Sequence, residues 1–140
     1  MKLDLSSLSK AVESLEKTLN AAERSSAAGL DTDTQDAIKA GVIQNFEFTY
    51  ELCWKFMRRW LRENTPAEQA EHPRARKELF RLAAQYGLIN DPLAWFAYGD
   101  ARNLTAHTYD EDTAESVYET ALGFAKDARS FLDKLEEINE

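Results

Sequence analysis

Apolar residues recur at intervals of three and four along most of the chain, which is the spacing of one face of an α-helix. The first such stripe predicts a helix over residues 3–28; its members are Leu5, Leu8, Val12, Leu15, Leu19 and Ala22. A longer stripe predicts a second helix that ends near Asn64; its members are Ile38, Val42, Phe46, Thr49, Cys53, Phe56 and Trp60. Alanine is abundant whereas valine and isoleucine are scarce, so the composition favours helices over strands.

The middle of the chain contains residues that stop helices. The stretch "ENTPAEQAEHP" (63–73) is polar and contains two prolines, which predicts a loop. A short third helix is predicted from Arg74 to Tyr86, and Gly87 is placed to end it.

Two aspartates mark the expected starts of the last two helices. Asp91 and Pro92 fit the N-cap and the first position of a fourth helix. Asp112 and Glu115 resemble a variant capping box, which predicts the last helix over about 113–137.

Together these elements predict an all-α protein. We expect an antiparallel up-and-down four-helix bundle with an additional short helix. The length of 140 residues suits one domain over residues 1–140, and neither an internal repeat nor a long linker divides the chain.

Composition limits the classes of protein to which the chain can belong. The net charge of −8 disfavours broad, nonspecific binding to nucleic acid, because that binding pairs phosphates with Lys and Arg. Cys53 is the only cysteine, so the sequence predicts neither a disulfide framework nor a cysteine metal site. No stretch approaches the ~20 apolar residues of a membrane span, and the N-terminus lacks a signal-peptide apolar region. These features predict a cytoplasmic protein without membrane contact.

Charge is distributed unevenly along the chain. Residues 55–81 carry eight basic and four acidic side chains, whereas residues 110–140 carry ten acidic and three basic ones. This asymmetry fits self-association, docking of a basic partner or a local phosphate-binding face, and it also fits two solvated helix faces.

The stretch "RNLTAHTY" (102–109) contains several polar residues near the end of the fourth helix. Residues seven apart nearly coincide on an ideal helix, and residues five apart point about 140° from each other. Arg102 and Tyr109 would therefore share a face, with His107 turned away unless the helix ends or distorts first. A histidine can move a proton in either direction, and an arginine can hold charge developing on a phosphoryl group. Those two groups suffice for metal-free cleavage of RNA by the attack of its own 2′-hydroxyl on the adjacent phosphate.

The same residues also have a structural interpretation. A histidine at a helix end is commonly a cap or a dipole partner, and Arg102 could pair with Asp100 or Asp110. Nothing in the sequence resembles a carboxylate metal cluster, a glycine-rich phosphate loop or a Ser-His-Asp order, so neither a metal nor a cofactor is expected.

The second helix carries further candidates. Glu47 and Glu51 lie one turn apart and are a possible carboxylate pair; alternatively they are solvated, or face Lys55, Arg58 or Arg102. A basic patch could also make the site attractive to RNA; its members would be Arg58, Arg59 and Arg62. The aromatic residues of this helix are better explained as core and dimer contacts than as a base-stacking platform; they include Phe46, Phe48, Tyr50, Trp54 and Trp60.

Two blocks carry a resemblance to a known family. "RNLTAHTY" resembles the Arg-to-His motif of HEPN domains in the His-x-Tyr form typical of HepT-like proteins. Residues 42–61, "VIQNFEFTYELCWKFMRRWL", and residues 87–112, "GLINDPLAWFAYGDARNLTAHTYDED", are similar to the nucleotidyltransferase substrate-binding protein family. The similarity extends over residues 36–118.

The resemblance implies a homodimeric helical bundle, with the motif near the dimer cleft. The implied partner is a separately encoded minimal nucleotidyltransferase, and the pair resembles a toxin–antitoxin module. In the ribonuclease interpretation, Arg102 would bind and polarise phosphate, His107 would act as general acid or base, and Asn103 would orient one of them or the substrate. Tyr109 matches the tyrosine to which the partner transfers AMP, which would block RNA and repel its phosphates.

Three hypotheses therefore remain open at the level of the sequence. The first is a metal-independent endoribonuclease toxin that AMP transfer to Tyr109 neutralises. The second is a non-catalytic substrate-binding subunit of a two-protein nucleotidyltransferase. The third is a dimeric helical scaffold with neither role, in which Arg102 and His107 form ion pairs away from any cleft.

Overall fold

A computed structural model describes residues 2–66 and 76–139. Regular structure in these residues is helical throughout, which confirms the predicted all-α class. It consists of α1 (Ser6–Ala27), α2 (Thr32–Asn64), α3 (Arg76–Gln85), α4 (Pro92–Leu104), a 3-10 turn (Thr105–His107) and α5 (Glu111–Ile138). Most of the predicted loop, together with Arg74 as the predicted start of the third helix, lies outside the described residues.

Helix α1 begins three residues later than the sequence predicts, because its first residues are bound elsewhere. The side chain of Asn139 accepts a hydrogen bond from the Leu3 amide (2.9 Å) and donates one to the Leu3 carbonyl (2.9 Å). Asp4 then accepts a hydrogen bond from the Ser6 amide (3.0 Å), in a position where the helix can start. These contacts keep residues 3–5 out of the helix and join the two ends of the chain.

The ends of α3 and α4 follow the sequence signals. Gly87 has a φ of +80°, a conformation that other residues rarely adopt, and the Leu88 amide donates to the Ala83 carbonyl at 2.9 Å. Asp91 then caps α4, because its carboxylate accepts a hydrogen bond from the Leu93 amide. The predicted start of α4 and the role of Gly87 are confirmed, and α3 ends at Gln85, one residue before the predicted Tyr86.

The predicted start of the last helix is wrong by two residues. Asp110, and not Asp112, is the N-cap of α5; its carboxylate accepts hydrogen bonds from the Thr113 amide (3.3 Å) and the Thr113 hydroxyl (2.7 Å). The Asp110 amide also donates to the His107 carbonyl, so the 3-10 turn leads directly into the cap. Tyr109 consequently lies in the short connection between that turn and α5.

The predicted apolar stripes face a shared core. Helix α2 packs against α1, α3, α4 and α5, so it is the central element of the described fold. The Phe124 ring of α5 makes T-shaped contacts with Phe46 of α2 at 5.1 Å between centroids, Tyr98 of α4 at 5.1 Å and Trp95 of α4 at 5.6 Å. These contacts hold α4 against α2 and α5 and thereby fix the position at which its C-terminus emerges.

Among the described residues, none of the helices combines the length and the apolarity that crossing a membrane requires.

Candidate active site

Helix α4 ends in a way that separates the motif residues. The helix stops at Leu104, and the backbone tightens into the 3-10 turn. The Thr105 hydroxyl donates to the Arg102 carbonyl (2.8 Å), and the Thr108 hydroxyl donates to the Thr105 carbonyl (3.2 Å). These two bonds add side-chain donors to carbonyls at the end of the helix, where fewer backbone donors are available. The distortion that the sequence left open before Tyr109 is therefore present.

Arg102 reaches back to α2 and pairs with two carboxylates. Its Nε donates to Glu51 Oε1 at 3.1 Å, and its Nη2 lies 3.5 Å from Glu47 Oε1. Its Nη1 donates to the Thr105 hydroxyl at 3.4 Å. The side chain keeps 29% of its surface exposed, so an anion from solvent can approach it. Of the alternatives open for the two glutamates, pairing with the motif arginine is the one that forms.

Glu51 has two further partners besides Arg102. Its Oε2 accepts a hydrogen bond from Trp54 Nε1 at 2.7 Å and lies 3.3 Å from Nη2 of Arg76 on α3. The Arg76 guanidinium lies 4.6 Å from the centre of the Trp54 ring. Within the part of the chain that the structure describes, this cluster contains two arginines and two glutamates, whose charges balance.

His107, the last residue of the turn, and Tyr109, two residues later, are exposed. Their rings meet edge to face with centroids 6.1 Å apart, and Tyr109 exposes 85% of its surface. Asn103 is exposed as well. Within residues 2–66 and 76–139, no side-chain hydrogen bond or ion pair joins His107 or Asn103 to Arg102.

Two adjoining cavities run along α2 beside these residues. The first, of about 710 Å³, is lined by both glutamates and by Phe48, Lys55, Thr105 and Thr108. The second, of about 580 Å³, is lined by Tyr109 and Lys39 together with four acids, Asp36, Glu111, Asp112 and Glu115. The two share Ala40, Ile43 and Thr108, so one continuous surface leads from the partners of Arg102 to Tyr109.

The hypothesis of a basic patch on α2 gains no support from these cavities. Lys55 lines the first cavity, but Arg58, Arg59 and Arg62 line neither of the two. The Arg59 guanidinium lies 5.1 Å from the centre of the Phe56 ring on its own helix. Sequence reasoning did not assign Arg76 to the site; its only signal was membership of the basic segment 55–81.

The aromatic residues of α2 divide between the core and the surface. Phe46 and Tyr50 are buried, as expected of core residues, whereas Phe48 exposes 59% of its surface in the first cavity. Trp54 is half-buried and donates to Glu51. No group of three or more His, Cys, Asp or Glu side chains in the described part of the chain is arranged to hold a metal ion.

The fold and the site define a class of protein: all-helical, with an arginine, a histidine and a tyrosine around one helix end. The model of the family described as "Nucleotidyltransferase substrate binding protein like" matches residues 3–137. The chain belongs to this family.

Relatives agree with this assignment. The chain is 36% identical over 140 residues to a protein of Haemophilus influenzae named probable ribonuclease HepT, covering 99% of this chain and 96% of that protein. Among solved structures, a Haemophilus influenzae protein described as a substrate binding domain of a nucleotidyltransferase superposes with a TM-score of 0.87 and 36% identity, over 95% of this chain and 99% of the other. A Thermus thermophilus protein superposes with a TM-score of 0.65 and 28% identity, over 86% and 98% of the two chains.

Proposed function

We propose that the protein is a HepT-like endoribonuclease, active in the cytoplasm as a homodimer, whose site consists of Arg102, Asn103 and His107. The observation that carries the proposal is that the end of α4 and the turn after it carry the partly exposed guanidinium of Arg102, whose carboxylate partners line a cavity, and an exposed His107. The relative named probable ribonuclease HepT supports the reaction class.

In the proposed reaction, the 2′-oxygen of the substrate attacks the adjacent phosphorus and the bond to the 5′-oxygen breaks. One proton leaves the 2′-hydroxyl and one is delivered to the departing 5′-oxygen; His107 performs one of these transfers. Arg102 stabilises the negative charge on the phosphoryl oxygens, and Asn103 orients Arg102, His107 or the substrate. The products carry a 2′,3′-cyclic phosphate and a 5′-hydroxyl, and no metal takes part.

The proposed control is covalent modification by a separately encoded minimal nucleotidyltransferase, in a toxin–antitoxin pair. The Tyr109 oxygen attacks the α-phosphorus of ATP, a phosphodiester to AMP forms, and pyrophosphate and a proton leave. The exposure of Tyr109 and its cavity of about 580 Å³ favour access by such a partner. The added nucleotide lies on the surface that continues to the partners of Arg102, where its charge repels RNA phosphates.

The test is an RNA cleavage assay on purified protein in the presence of EDTA. We expect cleavage with cyclic-phosphate ends, and a loss of about 100-fold or more in His107→Ala. Unchanged thermal unfolding of this variant would show that its fold is intact. If the wild-type protein leaves RNA uncut, or if His107→Ala cuts equally well, the ribonuclease proposal fails.

A second candidate is a non-catalytic substrate-binding subunit of a two-protein nucleotidyltransferase. The description of the solved Haemophilus influenzae neighbour favours it. This candidate predicts a stable complex with the enzyme and nucleotidyl transfer that is unaffected by Arg102→Ala and His107→Ala. Co-purification followed by a transfer assay distinguishes the two candidates.

A further inference from the structure

The two carboxylates that hold Arg102 are bound very differently, although they lie one turn apart on the same helix. We propose that Glu51 is a positioning residue that fixes Arg102, whereas Glu47 is a competitor that occupies Arg102 Nη2 until a substrate phosphate displaces it. This inference rests on the proposed ribonuclease function and assigns separate roles to two residues outside the motif.

Glu51 has the contacts of a fixed support. Both of its oxygens are used: Oε1 accepts from Arg102 Nε, and Oε2 accepts from Trp54 Nε1 and faces Arg76 Nη2. The donors come from three different helices, and only 23% of the Glu51 side chain is exposed. Rotation of the carboxylate would break hydrogen bonds to two charged donors and to one half-buried donor, which are costly to lose. Arg102 is therefore held through its Nε, whereas its terminal nitrogens make only longer contacts, to the Thr105 hydroxyl (3.4 Å) and to Glu47 (3.5 Å).

Glu47 has the contacts of a replaceable partner. Within the described residues, Glu47 forms one ion pair, with Arg102 Nη2 at 3.5 Å. Its side chain is 42% exposed. Exposed pairs of this kind contribute little net free energy, because water and salt compete for both charges. A phosphate can offer two oxygens to the guanidinium in a bidentate arrangement, which a single long contact to a carboxylate does not match.

The position of Glu47 also fits competition with substrate. Glu47 and Glu51 both line the cavity of about 710 Å³ beside the helix end, as does Lys55. Arg102 itself does not line the cavity, so a phosphate that approaches Arg102 from there encounters the negative charge of Glu47, which lines the cavity and contacts Arg102 Nη2. Removal of that charge should therefore favour phosphate entry without loosening the arginine.

The experiment compares Glu51→Gln, Glu47→Gln and Glu23→Gln in the full-length protein. Each substitution removes one negative charge from a near-isosteric side chain, and Glu23 is an exposed residue of α1 that serves as the matched control. The glutamine amide at position 51 cannot accept from all three donors, because one of its two heteroatoms is itself a donor. Steady-state RNA cleavage gives kcat and KM, and NMR of the side-chain Nε–H of Arg102 reports its hydrogen bond.

We expect Glu51→Gln to lower kcat about tenfold and to speed solvent exchange of the Arg102 Nε–H. Glu47→Gln should lower KM about threefold, retain kcat and leave that exchange rate unchanged. It should also tighten binding of a 2′-O-methylated RNA, which cannot be cleaved. Glu23→Gln should match the wild-type protein in all of these measurements.

The inference is overturned if Glu51→Gln equals Glu23→Gln in kcat and in Nε–H exchange. It is also overturned if Glu47→Gln lowers kcat as much as Glu51→Gln does, because both residues would then be structural partners of Arg102. Failure of the proposed function has a different signature, namely no cleavage by wild-type protein or equal cleavage by His107→Ala. In that case the Nε–H exchange rates and the affinity for the uncleavable RNA still decide whether the two glutamates differ.

Discussion

Helix α4 and the turn that follows it contain two regions held by different forces. Residues 92–101 are fixed by burial: Trp95 exposes 2% of its surface and Tyr98 exposes 8%, and both pack on Phe124. Residues 102–109 are fixed by ion pairs and by hydroxyl bonds to the backbone, while Tyr109 exposes 85% of its surface. The buried region determines where the exposed region lies, so the residues that stabilise the fold and the candidate site residues are separated along one short segment.

Among the substitutions that test this difference between the two regions, that of Trp95 should lower the free energy of unfolding most. Trp95→Ala removes a buried ring that contacts Phe80, Tyr98, Phe124 and Phe131, and we expect the free energy of unfolding to fall by about 3–5 kcal/mol. Leu93→Ala, at a position 68% exposed in the same helix, should change it by less than about 0.5 kcal/mol. Urea denaturation measures both values, and equal losses would contradict the conclusion that burial fixes residues 92–101.

Gly99 lies next to the boundary between the two regions and faces a buried tyrosine. A Cβ at this position would lie 2.8 Å from the Tyr50 hydroxyl oxygen, which has no hydrogen-bond partner among the described residues. Gly99→Ala should therefore destabilise the protein by about 1–3 kcal/mol, although alanine favours helices. In a Tyr50→Phe background the close contact is absent, and alanine should instead stabilise by about 0.5–1 kcal/mol.

A double-mutant cycle by urea denaturation tests this prediction. The sign of the alanine effect should reverse between the two backgrounds. If alanine destabilises both equally, the contact with Tyr50 does not explain why position 99 is a glycine.

Tyr98 connects the buried region to a charge. Its hydroxyl donates to the Asp127 carboxylate, and burial together with that bond raises the pKa of Tyr98 above its usual value near 10. As the pH rises, the unfolded chain loses this proton first, so the contribution to stability is present below about pH 10 and is lost as the pH rises toward the folded pKa. Tyr98→Phe should cost about 1 kcal/mol at neutral pH.

The measurement is urea denaturation of both proteins between about pH 8 and about pH 11. We expect the stability of the wild-type protein to decline more steeply than that of Tyr98→Phe above about pH 10. Parallel pH profiles would mean that Tyr98 ionises equally readily in the folded and unfolded states.

The sequence predicts the buried region better than the exposed one, for a physical reason. Trp95 and Tyr98 have the spacing of one helix face, and Asp91 caps the helix by accepting a hydrogen bond from the amide two residues later. The residues that determine this structure are therefore close together in the sequence. The bond between Arg102 and Glu51 spans 51 residues, and the same carboxylate could have paired with Lys55 one turn away. Local spacing cannot decide between such partners, because the packing of α4 against α2 makes the choice.

The start of α5 illustrates the same limit. Three consecutive acids, Asp110 to Asp112, offer several possible caps, and the spacing to Glu115 favoured the wrong one. The hydrogen bond from the Asp110 amide to His107 places the first acid at the cap. That bond depends on the 3-10 turn, whose formation the sequence left open.

Tyr109→Phe should change the stability least of these substitutions and should abolish modification by AMP. The exposed hydroxyl makes no recorded hydrogen bond within the described residues, so we expect the free energy of unfolding to change by less than about 0.5 kcal/mol. The phenylalanine lacks the oxygen that would accept AMP, so mass spectrometry after co-expression with the partner nucleotidyltransferase should find this protein unmodified. Tyr118→Phe, which alters a half-buried tyrosine of α5, is the control and should remain modified at Tyr109. Transfer of AMP to another residue in Tyr109→Phe would mean that access, rather than this one hydroxyl, determines the site of modification.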